Sequence, residues 1–241
     1  MRALDSVSRV HSRHDSHRGH APHRLFSPAF ARCLACAAMT LLGACSDPMR
    51  ALSDSYSFVR QNSDAQIDRT VLAKEHQYLK VSSRGRSALL VLGNVEQNAA
   101  GPVEVWYSGA GEVLRIQNGR LIGATGMATE WLNVRLSAPP DWLSISAPTS
   151  YARRRDVMPA YDFGEADVVT VTPIDMPANT RYSGPKASAL RWFAERTQGR
   201  IGLRDSRYGV LQRDGHALVV YGEQCLDDRL CLSWQRWPAE V

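Results

Sequence analysis

Asn118-Gly119, set between Glu112-Val-Leu-Arg-Ile-Gln117 and Arg120-Leu-Ile-Gly123, constrains the fold of this chain more than any other feature. Both central residues of a type I′ turn need positive φ, which Asn and Gly adopt at low cost, and the twist of that turn matches two antiparallel strands. Leu114 and Ile116 alternate with polar neighbours before the turn, the period of a strand with one buried face. Upstream, Val103-Glu-Val-Trp-Tyr-Ser108 alternates and turns at Gly109-Ala-Gly111 into the same hairpin, and Ala88-Leu-Leu-Val-Leu92 is a compact apolar run. Further strands are expected over 168–172, 200–203, 217–221 and 230–235, each bounded by Gly, Pro or Asp. The pattern predicts a mainly β fold, an antiparallel meander forming a sandwich or barrel with one or two short helices. Pro139-Pro140, Pro148, Pro159, Pro173 and Pro177 predict a loop-rich middle. The stretch 187–198 reads two ways: Leu190, Phe193, Ala194 and Gly199 suit a helix with a C-terminal stop, and Trp192 breaks its stripe.

Leu42-Gly43-Ala44-Cys45 closes an apolar run that begins near Cys33. That run has the roughly 7–15 residues of a signal-peptide core, far below the roughly 20 that span a bilayer. Arg24 and Arg32 flank it, and small residues before a cysteine form a lipobox, so cleavage before Cys45 with diacylglycerol and N-acyl lipid on its thiol is expected. A plain secretory site also ends in small residues and is the alternative. Two or three acyl chains hold stably where one holds only reversibly. Ser46, where an aspartate would favour the inner membrane, points to the outer membrane with the domain in the periplasm. Asp47-Pro48 then offers a helix start, with Met49, Leu52, Tyr56 and Val59 on one stripe. The expected organisation is a leader over 1–44, a lipid anchor with short helix or tether over 45–66, and one β-rich domain over 67–241.

The leader distorts the composition. Six of 29 basic and two of 24 acidic residues fall in 1–44, which leaves 23 against 22, a net charge near +1 and no warrant for nucleic-acid binding. His11, His14, His17, His20 and His23 resemble a metal tract but precede the export signal, and Cys33-Leu-Ala-Cys36 lies inside it. No metal, and no cofactor beyond the lipid on Cys45, is expected. Of the cysteines that follow, Cys225 and Cys231 flank Leu-Asp-Asp-Arg-Leu, which suits a hairpin with its loop over 227–229. Opposed on paired strands in an oxidising compartment, they read as a disulfide. A metal site using both thiolates and His216 lacks a fourth ligand.

Val105-Trp-Tyr-Ser108 followed by Gly111-Glu-Val-Leu-Arg-Ile-Gln-Asn-Gly-Arg-Leu-Ile-Gly-Ala-Thr-Gly-Met127 resembles the core of the YjbF/GfcB family of capsule and exopolysaccharide lipoproteins. The tryptophan strand carrying Trp106, the Asn118-Gly119-Arg120 hairpin and the Thr125-Gly126 step follow in the family's order, over residues 67–131. Near the C-terminus Ser233-Trp-Gln235 resembles the family's closing motif, while the Cys225/Cys231 pair looks like a local addition. The resemblance implies a non-enzymatic accessory lipoprotein at the outer membrane, working with an outer-membrane β-barrel protein and a periplasmic protein of a polysaccharide secretion cluster, and in reach of the polysaccharide itself. Asn118, Gly119, Arg120, Thr125 and Gly126 are read as fold determinants.

Trp106, Tyr107, Trp131, Trp142, Trp192, Trp234 and Trp237 are candidates to stack on sugars, though aromatics in strands are more often core. Arg153-Arg-Arg155 reads as a solvated loop, with an acidic glycan or lipid headgroup as the sharper alternative. An enzyme acting on polysaccharide needs two carboxylates across a cleft. Glu104, Glu112, Glu130, Asp141, Glu165 and Asp167 are available without a spacing that selects a pair, and Glu104 and Glu112 read as the solvent face of a hairpin. No G-x-S-x-G occurs, and only His76 and His216 follow the leader. A polysaccharide-modifying enzyme and a structural envelope lipoprotein unconnected with glycans are the alternatives.

Overall fold

In the computed structural model, which describes residues 64–184 and 187–239, twelve antiparallel strands close into one barrel. The lipobox with Cys45 and the stripe from Met49 to Val59 lie outside the described residues. A single-turn helix α1 (Asp64–Ile67) precedes β1 (Tyr78–Ser83), β2 (Arg86–Asn98), β3 (Gly101–Ser108), β4 (Val113–Gln117), β5 (Arg120–Thr125) and β6 (Glu130–Ser137). The chain continues with β7 (Thr149–Met158), β8 (Asp162–Ile174), β9 (Arg191–Gly199), β10 (Ser206–Arg213), β11 (His216–Cys225) and β12 (Cys231–Trp237). Each strand pairs with its neighbours in sequence, and β1 closes the ring on β12 through Tyr78↔Trp237 to Ser82↔Ser233. The fold is thus the barrel of the two expected forms.

Tight turns explain the meander. Gln117 pairs with Arg120, so Asn118 (φ 48°) and Gly119 (φ 76°) form a two-residue loop with both φ positive, as a type I′ turn requires. Gly119 has a second reason to be glycine: a Cβ there would overlap the Val219 side chain on β11. Asp214-Gly215 makes the same kind of loop between Arg213 and His216.

The inside of the barrel is filled. Leu79, Leu90, Trp106, Leu114, Trp131, Val157, Val171, Phe193, Tyr208, Val219 and Trp234 come from strands all around the ring and form one buried cluster. Leu226 and Leu230, from the β11–β12 loop, cover one end; Trp142 and Ile145, from the β6–β7 connection, cover the other. Arg191 holds that second connection in place by donating to the carbonyls of Leu143 (3.1 Å) and Ile145 (2.8 Å). The outward positions carry charge, including Arg135, Arg154 and Arg196, which are exposed, and the Arg115–Glu96 pair. This reverses the apolar-out pattern of barrels that span a membrane.

Three sequence expectations change. The stretch 187–198 is a 3-10 turn (Ala187–Ala189) and then strand β9, because it is buried on both faces. Phe193 and Glu195 point inward, whereas Trp192 packs outside with Leu190, Val220 and Tyr221 beneath the β8–β9 connection. Residues 200–203 belong to the β9–β10 loop and not to a strand. Residues 153–155 lie in β7, not in a loop, and Arg153 and Arg155 are buried. The middle of the chain is accordingly less loop-rich than its prolines suggest.

Cys225 and Cys231 are directly opposed in the β11–β12 pair and form a disulfide. Gly119→Val should lower stability by about 2–4 kcal/mol, from a β-branched residue at positive φ plus the overlap with Val219, read as a lower denaturation midpoint at unchanged slope. Intact mass under non-reducing conditions should be two hydrogens short, and Cys225→Ala with Cys231→Ala should cost about 2 kcal/mol for so small a loop.

Candidate functional site

Two buried charged groups organise the interior. In the first, Arg120 Nε donates to Glu195 Oε1 at 2.9 Å, the two side chains being 3% and 2% exposed. Tyr151 Oη donates to the same oxygen at 3.0 Å. The Arg120 guanidinium lies 3.8 Å over the Trp142 ring, and Trp142 Nε1 donates to the Asn118 carbonyl at 2.7 Å. Desolvation pulls the Arg120 pKa down, but Glu195, Tyr151 and Tyr208 together outweigh it and the net shift is upward, so the guanidinium stays charged. Burial, then the Glu195 charge, pushes the Tyr151 and Tyr208 hydroxyls well above their usual range.

In the second, Arg153 Nε (3.0 Å) and Arg155 Nε (2.9 Å) both donate to Asp167 Oδ2. Both guanidiniums lie over the Trp131 ring, at 4.7 and 4.6 Å. Arg153 also reaches Thr197 Oγ1 at 3.1 Å, while Arg155 Nη1 is buried with no hydrogen-bond partner among the described residues. Trp131 Nε1 donates to the Leu226 carbonyl at 2.9 Å, and Asp227 in the same loop bonds Thr129. The disulfide hairpin is thereby tied to this group. The solvated-loop reading of Arg153 and Arg155 fails because their side chains are buried inside the barrel against β6 and β8; Arg154, between them, faces out.

The motif residues sit on this framework. Asn118 and Gly119 turn the chain, Arg120 enters the barrel, and Gly126 (φ 77°) donates its N–H to Glu130 Oε1 at 2.6 Å just after Thr125 ends β5. Trp106 is fully buried, with Nε1 donating to Glu104 Oε2 at 3.2 Å. Glu104 in turn pairs with Arg236 at 2.6 Å, so it faces a partner and not solvent. The aromatics divide cleanly: Trp106, Trp131, Trp142, Trp192 and Trp234 are core, Trp237 is half-buried and Tyr107 is 36% exposed. Among the described residues, the aromatics most open to solvent are Tyr161 (69%) and Phe163 (68%) at the β7–β8 turn, which the sequence reading did not single out.

The carboxylates considered for catalysis have other partners. Glu165 pairs with Arg200 at 2.8 Å, Asp141 accepts the Leu143 N–H at 2.9 Å and Glu112 bonds Ser108. The disulfide removes both thiolates from any metal set with His216, and no cluster of three or more potential ligands occurs among the described residues. Several clefts indent the surface, of which two bear on the candidate groups. One of about 640 Å³, where β1 begins and β12 ends, is lined by His76, Tyr78, Arg213 and Trp237. Another of about 490 Å³ lies beside the disulfide hairpin and is rich in arginine.

A filled up-and-down barrel with a charged outer wall and buried arginine pairs defines the class of this protein. The model of the group 4 capsule polysaccharide lipoprotein family, GfcB/YjbF, matches residues 55–180, and the chain belongs to that family. Among solved structures it is similar to the hypothetical lipoprotein YmcC from Escherichia coli (K12), at 16% identity and a TM-score of 0.57, covering 75% of this chain and 100% of that one, a likeness of fold. No curated protein matches the chain.

Asp167→Ala should cost about 3–5 kcal/mol, because it strands two buried guanidiniums, and its denaturation midpoint reads this directly. A pH series tests the surface carboxylates. The Ser87 hydrogen bond and Lys80 lower the Asp64 pKa; Asp227 is lowered by Thr129 and two backbone N–H groups despite desolvation. A pKa lower in the folded than in the unfolded chain means stability present at neutral pH and lost as pH falls through the folded value. The thermal midpoint should therefore be flat above about pH 5 and fall below about pH 4.

Proposed function

We propose that this protein is a lipid-anchored accessory of capsule or exopolysaccharide secretion that performs no covalent chemistry, held by Cys45 at the periplasmic face of the outer membrane. The family match over residues 55–180 carries the proposal, since that family is described by its capsule polysaccharide association. The non-enzymatic part is supported by the fate of the carboxylates: Asp167 and Glu195 are locked to guanidiniums inside the barrel, and Glu104 and Glu165 to arginines nearer the surface. The lipobox supports the anchor, and Ser46 the outer membrane. In this reading the domain holds or guides the secretion machinery, an outer-membrane β-barrel protein and a periplasmic protein, or the polysaccharide passing through it.

Cells lacking the gene should release and display less polysaccharide. Wild type should restore it, and Cys45→Ser should not. Unchanged output in the deletion overturns the accessory role; full rescue by Cys45→Ser overturns the need for an anchor.

A further inference from the structure

The arginine-rich cleft is built from four parts: the disulfide hairpin of β11 and β12, the end of β1 with its turn into β2, the β9–β10 loop running into β10, and the β8–β9 connection. Arg84, Arg181, Arg204, Arg207 and Arg229 line it, with no lysine. Three acids line it too, each already engaged. Glu223 accepts the Tyr221 hydroxyl at 2.5 Å and faces Arg207 at 3.7 Å, Asp205 is 3.5 Å from Arg196 outside the cleft, and Asp228 is 3.8 Å from Arg229. Arg84 donates to the Arg229 carbonyl and Arg207 to Asn179, which fixes two of the guanidiniums. Arg181 and Arg204 are exposed and their side chains make no hydrogen bond or ion pair with another described residue.

We infer that this cleft binds a carboxylate-bearing segment of polysaccharide, with Arg181 and Arg204 as the principal contacts. Planar guanidiniums match carboxylates two bonds at a time, which a row of lysines would not do. The site is a concavity of about 490 Å³, the size of a few sugar residues and not of a flat membrane contact. None of the exposed large apolar side chains lines it, so it has nothing to insert into a bilayer, and this favours glycan over lipid headgroup. The inference rests on the proposed role in polysaccharide secretion and names the surface that would serve it.

The test uses the full chain, purified from cell envelopes in a non-ionic detergent, and alginate oligosaccharides as the polyuronate probe. Neutral dextran oligomers and phosphatidylglycerol vesicles are the comparisons. Alginate should bind at low salt and weaken as salt rises, and dextran should not bind. Arg181→Ser with Arg204→Ser should weaken alginate binding about tenfold or more. Arg135→Ser with Arg154→Ser, which removes the same charge from exposed outer-wall positions, should leave it unchanged. The substitution leaves the hydrogen bond from the Arg181 backbone N–H to Tyr221 in place and removes from Asp64 only the smallest of its stabilising charges, and an unchanged circular dichroism melt confirms folding. Equal loss in both pairs would mean diffuse charge and overturn the site. So would absence of alginate binding, or vesicle binding alone that depends on Arg181 and Arg204. If alginate fails while the deletion strain still loses polysaccharide, only the cleft assignment falls; if that strain is unaffected, the secretion role falls with it.

Discussion

The interior of this barrel depends on buried guanidiniums that fill, beside the apolar cluster, the space its strands enclose. Barrel width grows with strand number, and about eight strands already give an interior that side chains just fill. With twelve strands, this chain fills the centre with Arg120, Arg153 and Arg155, laid on the faces of Trp142 and Trp131 and neutralised by Glu195 and Asp167. Such pairs are costly to desolvate and contribute little net stability over an apolar replacement. Their geometry is exacting, however: Arg120 on β5 must meet Glu195 four strands round the ring on β9, and Arg153 and Arg155 must share Asp167 on the adjacent β8, so the pairs favour one register over its neighbours.

That device also explains the family motif. Asn118-Gly119 brings Arg120 into the barrel at the height of Glu195, and the Asn118 carbonyl receives Trp142, the side chain that closes that end. At the other end Trp131 reaches the Leu226 carbonyl, so the disulfide hairpin and the second arginine group stabilise each other. The matched region ends at residue 180, while Arg181, Arg204, Arg207 and Arg229 follow it. The framework thus lies largely within the family region, and the arginine-rich cleft mostly beyond it.

The hairpin at 118–119, the β3–β4 pair and the Cys225–Cys231 link were legible because each rests on local chemistry: positive φ, period-two alternation, and two cysteines spaced for opposed strands. Asp214-Gly215 obeys the same rule and could have been read by it. β7 was illegible because its inward positions include Arg153 and Arg155, so its inside looks polar, and β9 because Trp192 is buried against a loop outside the wall. Of the candidate surfaces, sequence gave the aromatics as a class but not which were exposed, since burial of the tryptophans follows from ring closure. The arginine cleft joins turns more than a hundred residues apart, beyond the reach of any local pattern.

Closure of the ring by β1 on β12 has a further consequence, for assembly. Among the described residues every strand has a neighbour on both sides, so no strand is a free edge for another protein to extend, and the ladder is thinnest between β5 and β6, which pair through Ala124↔Trp131. Strand addition, a common way for proteins to join, finds no whole edge strand in this barrel. Recognition by the barrel then falls to side chains on its turns and outer wall, where single substitutions can retune a contact without disturbing the strands beneath.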